Sequence, residues 1–213
     1  MRLADLKYPK LTDFTKVNII DSYSSIEGGY VNNPNDRGGE TNFGVTATTA
    51  NQYKGQLQAL FGWDGTMRNF TREMAYYVYD QGWWQRMNCD RLLAIHPFIC
   101  DRVFDFSING GRGAGVGTFQ RILNVCNRQG KDYKDITVDG GLGNASVDAL
   151  QSYVAKRGAA GIDVFVQYQL ALQGAFYVQL AEKDPTQEEF VNGWGSRVTD
   201  IANLYARVRY GVA

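Results

Sequence analysis

Histidine is nearly absent from this chain of 213 residues: there is one, His96. A catalytic zinc site needs several imidazole, thiolate or carboxylate ligands at close spacing. Neither His96 nor the scattered Cys89, Cys100 and Cys126 supplies them. A Ser-His-Asp triad could draw only on His96, and no nucleophile-elbow motif accompanies it. His96 precedes Pro97 in an apolar stretch, so packing is the expectation for it and for the cysteines. Three cysteines without a secretory leader also argue against a disulfide framework. No sign of charge prevails: 22 Lys and Arg balance 22 Asp and Glu. That leaves no basic sheath for nucleic acid and no cationic face for a polyanionic surface. Only four prolines occur, and no Pro-rich linker divides the chain. No run approaches the roughly 20 apolar residues of a membrane span. Met1 to Lys16 is too polar for a signal peptide or signal-anchor. These absences lead us to expect no cofactor, no metal, no nucleic-acid partner and no membrane insertion.

What is present is a concentrated run of glycine, carboxylate and threonine. Phe14, Val17, Ile20, Tyr23 and Ile26 keep helical spacing behind Thr12 and Asp13, which are plausible caps. Gly28 and Gly29 then stop the helix. Glu27 falls on the last turn, where the negative end of the helix dipole disfavours a carboxylate and raises its pKa. Tyr30 and Phe43, as apolar neighbours, would push it further. A carboxyl group still protonated near neutrality can donate to a leaving glycosidic oxygen. A solvated surface glutamate is the plainer alternative when Glu27 is taken alone.

Asn32 to Gly39 is turn chemistry, and Thr41-Asn42-Phe43-Gly44-Val45-Thr46 has the composition of a short strand. A helix running into a small hairpin could bring Asp36 round to face Glu27. Asp36 in a polar bend would keep its charge. Two carboxylates with divergent pKa values are what acid/base cleavage of a glycosidic bond needs. An isolated Asp in a Gly-rich bend otherwise only organises its turn.

Glu27-Gly28-Gly29-Tyr30, then Asn33-Pro34-Asn35-Asp36-x-Gly38-Gly39-x-Thr41-Asn42-Phe43-Gly44-Val45-Thr46, resembles the signature of glycoside hydrolase family 108, the lysozyme-like N-acetylmuramidases of phage endolysins and some bacterial secretion loci. Glu27 matches the family's catalytic glutamate. The Glu, Asp, Thr order is also similar to the triad of phage T4-type lysozymes, where the Asp and Thr hold a water. Thr41 falls one position short of that spacing and Thr46 is the alternative. Further along, Thr71 to Ala75 with Tyr79 and Trp83-Trp84, Phe104-Asp105 to Gly111, Asp139 to Gly143 and Phe190 to Trp194 resemble later family motifs. The resemblance thus runs from about residue 12 to 208. It implies a lysozyme-like catalytic region over 12–100. Over 101–213 it implies a helical predicted peptidoglycan-binding region, or the completion of one compact body.

Aromatics make up 13% of the residues, enough to furnish stacking surfaces for sugar rings as well as a core. Core is the expectation for Trp84 and Trp194, while Trp83 and Tyr30 are open. Tyr30, Asn42, Phe43, Trp83 and Asn109 are the candidate sugar contacts. The run Gly110 to Gly117 lacks the Gly-Lys-Ser/Thr ending of a phosphate loop. It reads as a flexible connection into a helix from about Thr118.

Helices are expected near 13–27, 47–60, 71–84, 97–108, 116–129, 145–157, 162–182 and 186–208, with a short hairpin between Tyr30 and Thr46. Val164, Phe165, Tyr168, Leu172, Phe176 and Leu180 mark one face of the long helix. The expected fold is all-α with a small β-hairpin, lysozyme-like. The expected protein is a monomeric muramidase acting on bacterial peptidoglycan, with a phage role in host lysis. It would be made in the host cytoplasm and reach the wall after the membrane is breached. A non-catalytic wall-binding module and a chitinase-like hydrolase are the rivals.

Overall fold

The computed structural model describes residues 3–7, 9–24, 29–32 and 39–211. Glu27 and Asp36 lie outside them. The architecture is all-α and lysozyme-like with one small antiparallel sheet. Helix α1 (Lys16–Ser24) precedes strands β1 (Val31–Asn32), β2 (Glu40–Asn42) and β3 (Val45–Thr46). Then follow α2 (Ala47–Asn51), α3 (Lys54–Phe61), α4 (Arg72–Tyr79), α5 (Cys89–Ile95), α6 (Pro97–Gly110), α7 (Arg112–Cys126), α8 (Asn144–Lys183) and α9 (Glu188–Tyr210).

Helix α6 is the axis. Every residue from Phe98 to Ser107 is buried, charged ones included, as befits a helix surrounded by others. His96 caps it: its Nδ1 accepts from the Ile99 N–H at 3.3 Å, with Pro97 as the first helical residue. Burial pushes the His96 pKa down to about 4, so the imidazole is a neutral acceptor. The single histidine therefore shapes a helix start as well as packing.

The glycine run is helix, not a flexible connection. Only Gly111, at φ 83°, interrupts the backbone, and α7 begins at Arg112. A Cβ on Gly115 would stand 2.2 Å from Ser107 Oγ and 2.5 Å from Ser107 N. The missing side chain lets α7 lie against α6 nearly backbone to backbone. This close approach outweighs glycine's low helix propensity.

Helix α5 was not foreseen from sequence. It starts after Asn88, a non-glycine residue at φ 48°. The expected helix over 71–84 is α4 followed by a π-helical turn, Asp80–Trp84. The expected pair over 145–157 and 162–182 is one long element bent at Gly158, where φ is 54° and ψ is −151°. Its inward face also differs from expectation. Phe165, Val166, Gln169, Leu170, Gln173 and Tyr177 are buried, whereas Val164 and Tyr168 are exposed. Two buried glutamines turn the helix away from the purely apolar face. Trp84 is fully buried as expected. Trp194 instead is only partly buried, stacked on Tyr177 with ring centroids 5.1 Å apart. Along α9 only Ile201, Leu204 and Tyr205 are buried, so Trp194 lies before that helix enters the core.

Candidate active site

In sequence, Glu27 follows α1, which ends at Ser24, and Asp36 falls between β1 and β2. The described frame around these segments is the sheet. Val31 pairs with Thr41 and Asn32 with Glu40, while Thr41 pairs with Thr46 and Asn42 with Val45. The stretch 41–46 expected as one strand is thus a two-residue hairpin. Its turn is Phe43 and Gly44, both at positive φ (49° and 75°), as a type I′ connection requires. Gly44 is also sterically fixed, because a Cβ there would meet Tyr79 Oη at 2.5 Å.

Strand alternation puts Val31, Thr41 and Thr46 on one face and Asn42 and Val45 on the buried one. The two candidate threonines are therefore direct cross-strand neighbours. Their hydroxyls differ in use. Thr46 Oγ1 caps α2, accepting from Thr49 N at 3.2 Å and pairing with Thr49 Oγ1 at 3.0 Å. Thr41 Oγ1 makes one long bond, to Gly39 O at 3.3 Å, and retains acceptor capacity.

Asn42 faces inward. Its Nδ2 donates to Met67 O at 2.7 Å and Phe70 O at 3.1 Å, pinning the sheet to the 67–70 turn. Its buried Oδ1 has no hydrogen-bond partner among the described residues and lies toward Gly29, where a Cβ would be 3.9 Å away. Tyr30 donates to Glu40 Oε1 at 2.8 Å, and the Arg68 guanidinium covers its ring at 4.1 Å. Glu40 and Arg68 did not emerge from the sequence reading. Glu40 stood in plain view between Gly39 and Thr41, whereas nothing in the sequence singles out Arg68.

Phe43, Trp83 and Asn109 are linked through two tyrosines. Tyr79 donates to Phe43 O at 3.4 Å, and its ring lies 5.9 Å from Trp83 and 6.5 Å from Tyr23. Tyr23, in turn, donates to Asp105 Oδ1 at 3.0 Å. Asn109 Nδ2 donates to Asp105 O at 2.9 Å, one helical turn back.

Asp105 is the hub of this region. Its carboxylate, 1% exposed, also receives Gln173 Nε2 at 3.0 Å and Arg197 Nε at 3.1 Å, with Arg102 at 3.6 Å. Arg102 binds Asp101 through Nε at 3.0 Å and through a second, closer bond from its terminal nitrogen. Two arginines thus balance two buried aspartates. Burial alone would raise the Asp105 pKa, but Arg197 and Arg102 prevail and hold it below the ordinary range. For Asp101 burial prevails and its pKa is raised. Burial likewise raises the phenols of Tyr23 and Tyr79, which stay protonated as donors. Among the described residues no group of three or more His, Cys, Asp or Glu could hold a metal ion.

Fold and site define a lysozyme-like protein whose signature segment joins a helix to a three-stranded sheet. Residues 20–111 match the family model described as glycosyl hydrolase 108, and residues 114–199 match that of a predicted peptidoglycan domain. The two matches follow one another along the sequence and between them span most of the chain. No curated protein sequence matches it. The solved structure of Brucella abortus SagA is similar in fold, with a TM-score of 0.60 and 24% identity. That similarity covers 94% of this chain and 99% of SagA.

Proposed function

We propose that this chain is an N-acetylmuramidase, hydrolysing the β-1,4 bond between N-acetylmuramic acid and N-acetylglucosamine. The class itself, a glycosidase acting on peptidoglycan, rests on the two family matches. The observation that carries the finer reading is that the glycosyl hydrolase match, 20–111, contains the whole Glu27 to Thr46 signature.

In this reading Glu27 gives its proton to the leaving glycosidic oxygen as that bond breaks. Water adds at the anomeric carbon and loses its own proton. Asp36 orients or activates that water, or stabilises the oxocarbenium-like transition state. Of the two threonines, Thr41 is the better water holder, because Thr46 Oγ1 is committed to capping α2. Tyr30, Phe43, Trp83 and Asn109 border the sugar subsites, and Asn42 supports them from beneath the sheet. The protein acts as a monomer without metal or organic cofactor. Its biological setting is phage-mediated host lysis: synthesis in the bacterial cytoplasm, then access to the wall once the membrane is permeabilised.

The test is mass spectrometry of muropeptides released from purified sacculi by the native chain and by Glu27→Gln. Fragments with reducing N-acetylmuramic acid ends, lost in the variant, are expected. Reducing N-acetylglucosamine ends or free peptides would reassign the bond. No release, with both proteins still sedimenting with sacculi, would favour a wall-binding module.

A further inference from the structure

The bend in α8 and the end of α7 enclose a groove of about 510 Å³ that the proposed reaction does not use. Its apolar lining includes Val125, Val164 and Tyr168, which are 77%, 45% and 50% exposed. Such side chains at helical positions cost solvation without contributing to the core. The bend is built rather than frayed. Gly158 leaves helical geometry, and Tyr153 donates to Gly161 O at 2.6 Å across the floor.

Two guanidiniums, Arg128 and Arg157, line the groove. With Lys156, which is not part of the lining, they face Asp132, whose side chain is 1% exposed. Hydrogen bonds from Arg128 hold that carboxylate down at about 2, so it stays charged. The two guanidiniums of the lining share one carboxylate, a local positive excess in a chain whose formal net charge is zero. The two guanidiniums and the ammonium carry more N–H donors than the two Asp132 oxygens can accept. The outer sides of these cations, 58%, 47% and 35% exposed, are directed to solvent.

We propose that this groove binds the peptide stem of peptidoglycan, its small alkyl side chains against Val125, Val164 and Tyr168 and a carboxylate against Arg128 and Arg157. The inference rests on peptidoglycan being the substrate. It assigns the second region a ligand moiety, the anionic peptide, distinct from the glycan cleaved near the sheet. The ligand choice follows from charge complementarity: a neutral sugar has no use for paired guanidiniums, whereas a carboxylate accepts from them bidentately.

Cys126 lines the groove and is partly exposed, while Cys89 and Cys100 are fully buried, so thiol alkylation of the native chain reports on this place alone. The probes are a tetrapeptide stem with a free terminal carboxylate, its terminal amide, and di-N-acetylchitobiose, a neutral disaccharide without the lactyl carboxylate. The free acid at about 1 mM is expected to slow Cys126 alkylation severalfold, the amide less and the disaccharide not at all. Val125→Glu, a charge placed at an open position, is expected to weaken peptide protection by about tenfold, as like charges are brought together. Tyr168→Ser, scored as the ratio of its own alkylation rates with and without peptide, should likewise lower the protection. Equal protection by the disaccharide, or none by the peptide, would overturn the assignment. Hydrolysis of sacculi, assayed in parallel, separates the two readings. Hydrolysis without peptide protection sinks the groove alone, and protection without hydrolysis sinks the muramidase alone. Loss of both sinks both.

Discussion

Replacing Arg197 with Met tests the buried ionic cluster. The change keeps much of the aliphatic stem but removes two donors from Asp105, which is 1% exposed and so has little water to turn to. Arg102 remains at 3.6 Å but is already shared with Asp101. The four-charge cluster would change from neutral to net negative. Removing one partner of a buried pair costs about 3–5 kcal/mol. Arg197 is itself 25% exposed, so the lower end, about 3 kcal/mol, is the expectation. For a chain of this length that corresponds to a fall in Tm of roughly 6–12 °C. The pH dependence gives the sharper readout. In the native protein the Asp105 pKa lies below its unfolded value, so its contribution is present above the unfolded pKa and fades as pH falls through the folded one. Without Arg197 burial dominates and the folded pKa rises above the unfolded value. The variant would then be penalised at neutral pH and recover as the carboxyl group protonates. Urea unfolding of native, Arg197→Met, Asp105→Asn and the double variant, at pH 7 and pH 5, measures this. The deficit of Arg197→Met should shrink at pH 5, and the double variant should lose less than the sum of the singles. A deficit independent of pH with additive singles would refute the electrostatic account and leave only packing.

Two further outcomes follow from the same core. Gly115→Ala places a methyl group against the Ser107 backbone and should cost about 3 kcal/mol by forcing α7 away from α6; thermal unfolding checks it, and a neutral result would mean the helices separate freely. His96, held near 4 when folded against 6.5 when free, contributes stability that is complete above the unfolded value and is lost as pH falls. Between pH 7 and 4.5 that loss is about 2.5 kcal/mol. His96→Asn, which keeps a capping acceptor, should flatten this slope in acid-dependent melting curves.

The readable parts of the fold were those governed by local chemistry. Tyr30 to Thr46 carried enough turn and strand character to announce a hairpin, although 41–46 read as a single strand, and the helix expected over 97–108 is found as α6. Where tertiary contact decides, sequence was mute or misleading. Gly113, Gly115 and Gly117 look like a linker until Ser107 is known to press against Gly115 and α7 to begin at Arg112. Val164 and Tyr168 look like core until Gln169 and Gln173 are found to occupy the inward positions. The signature displayed Glu27, Asp36 and both threonines, but not that Thr41 and Thr46 would stand opposite one another with only one hydroxyl committed to a helix cap. Asp105 was visible as part of a motif. Its partners, 82, 68 and 92 positions away, were not.

Those long separations bear on how this protein can be re-engineered or recombined. Asp105 lies in the stretch matched to the hydrolase family, yet Gln173 and Arg197, which complete its coordination, lie in the stretch matched to the other. A graft that exchanged the second stretch for a foreign wall-targeting segment would strand a charged carboxylate beneath the helix that leads to Glu27. Any surviving chimera would need to import a guanidinium at the same place or neutralise Asp105 first. The two halves are in this sense keyed to each other, and a shuffled library should show that key as paired inheritance of the acid and its arginine.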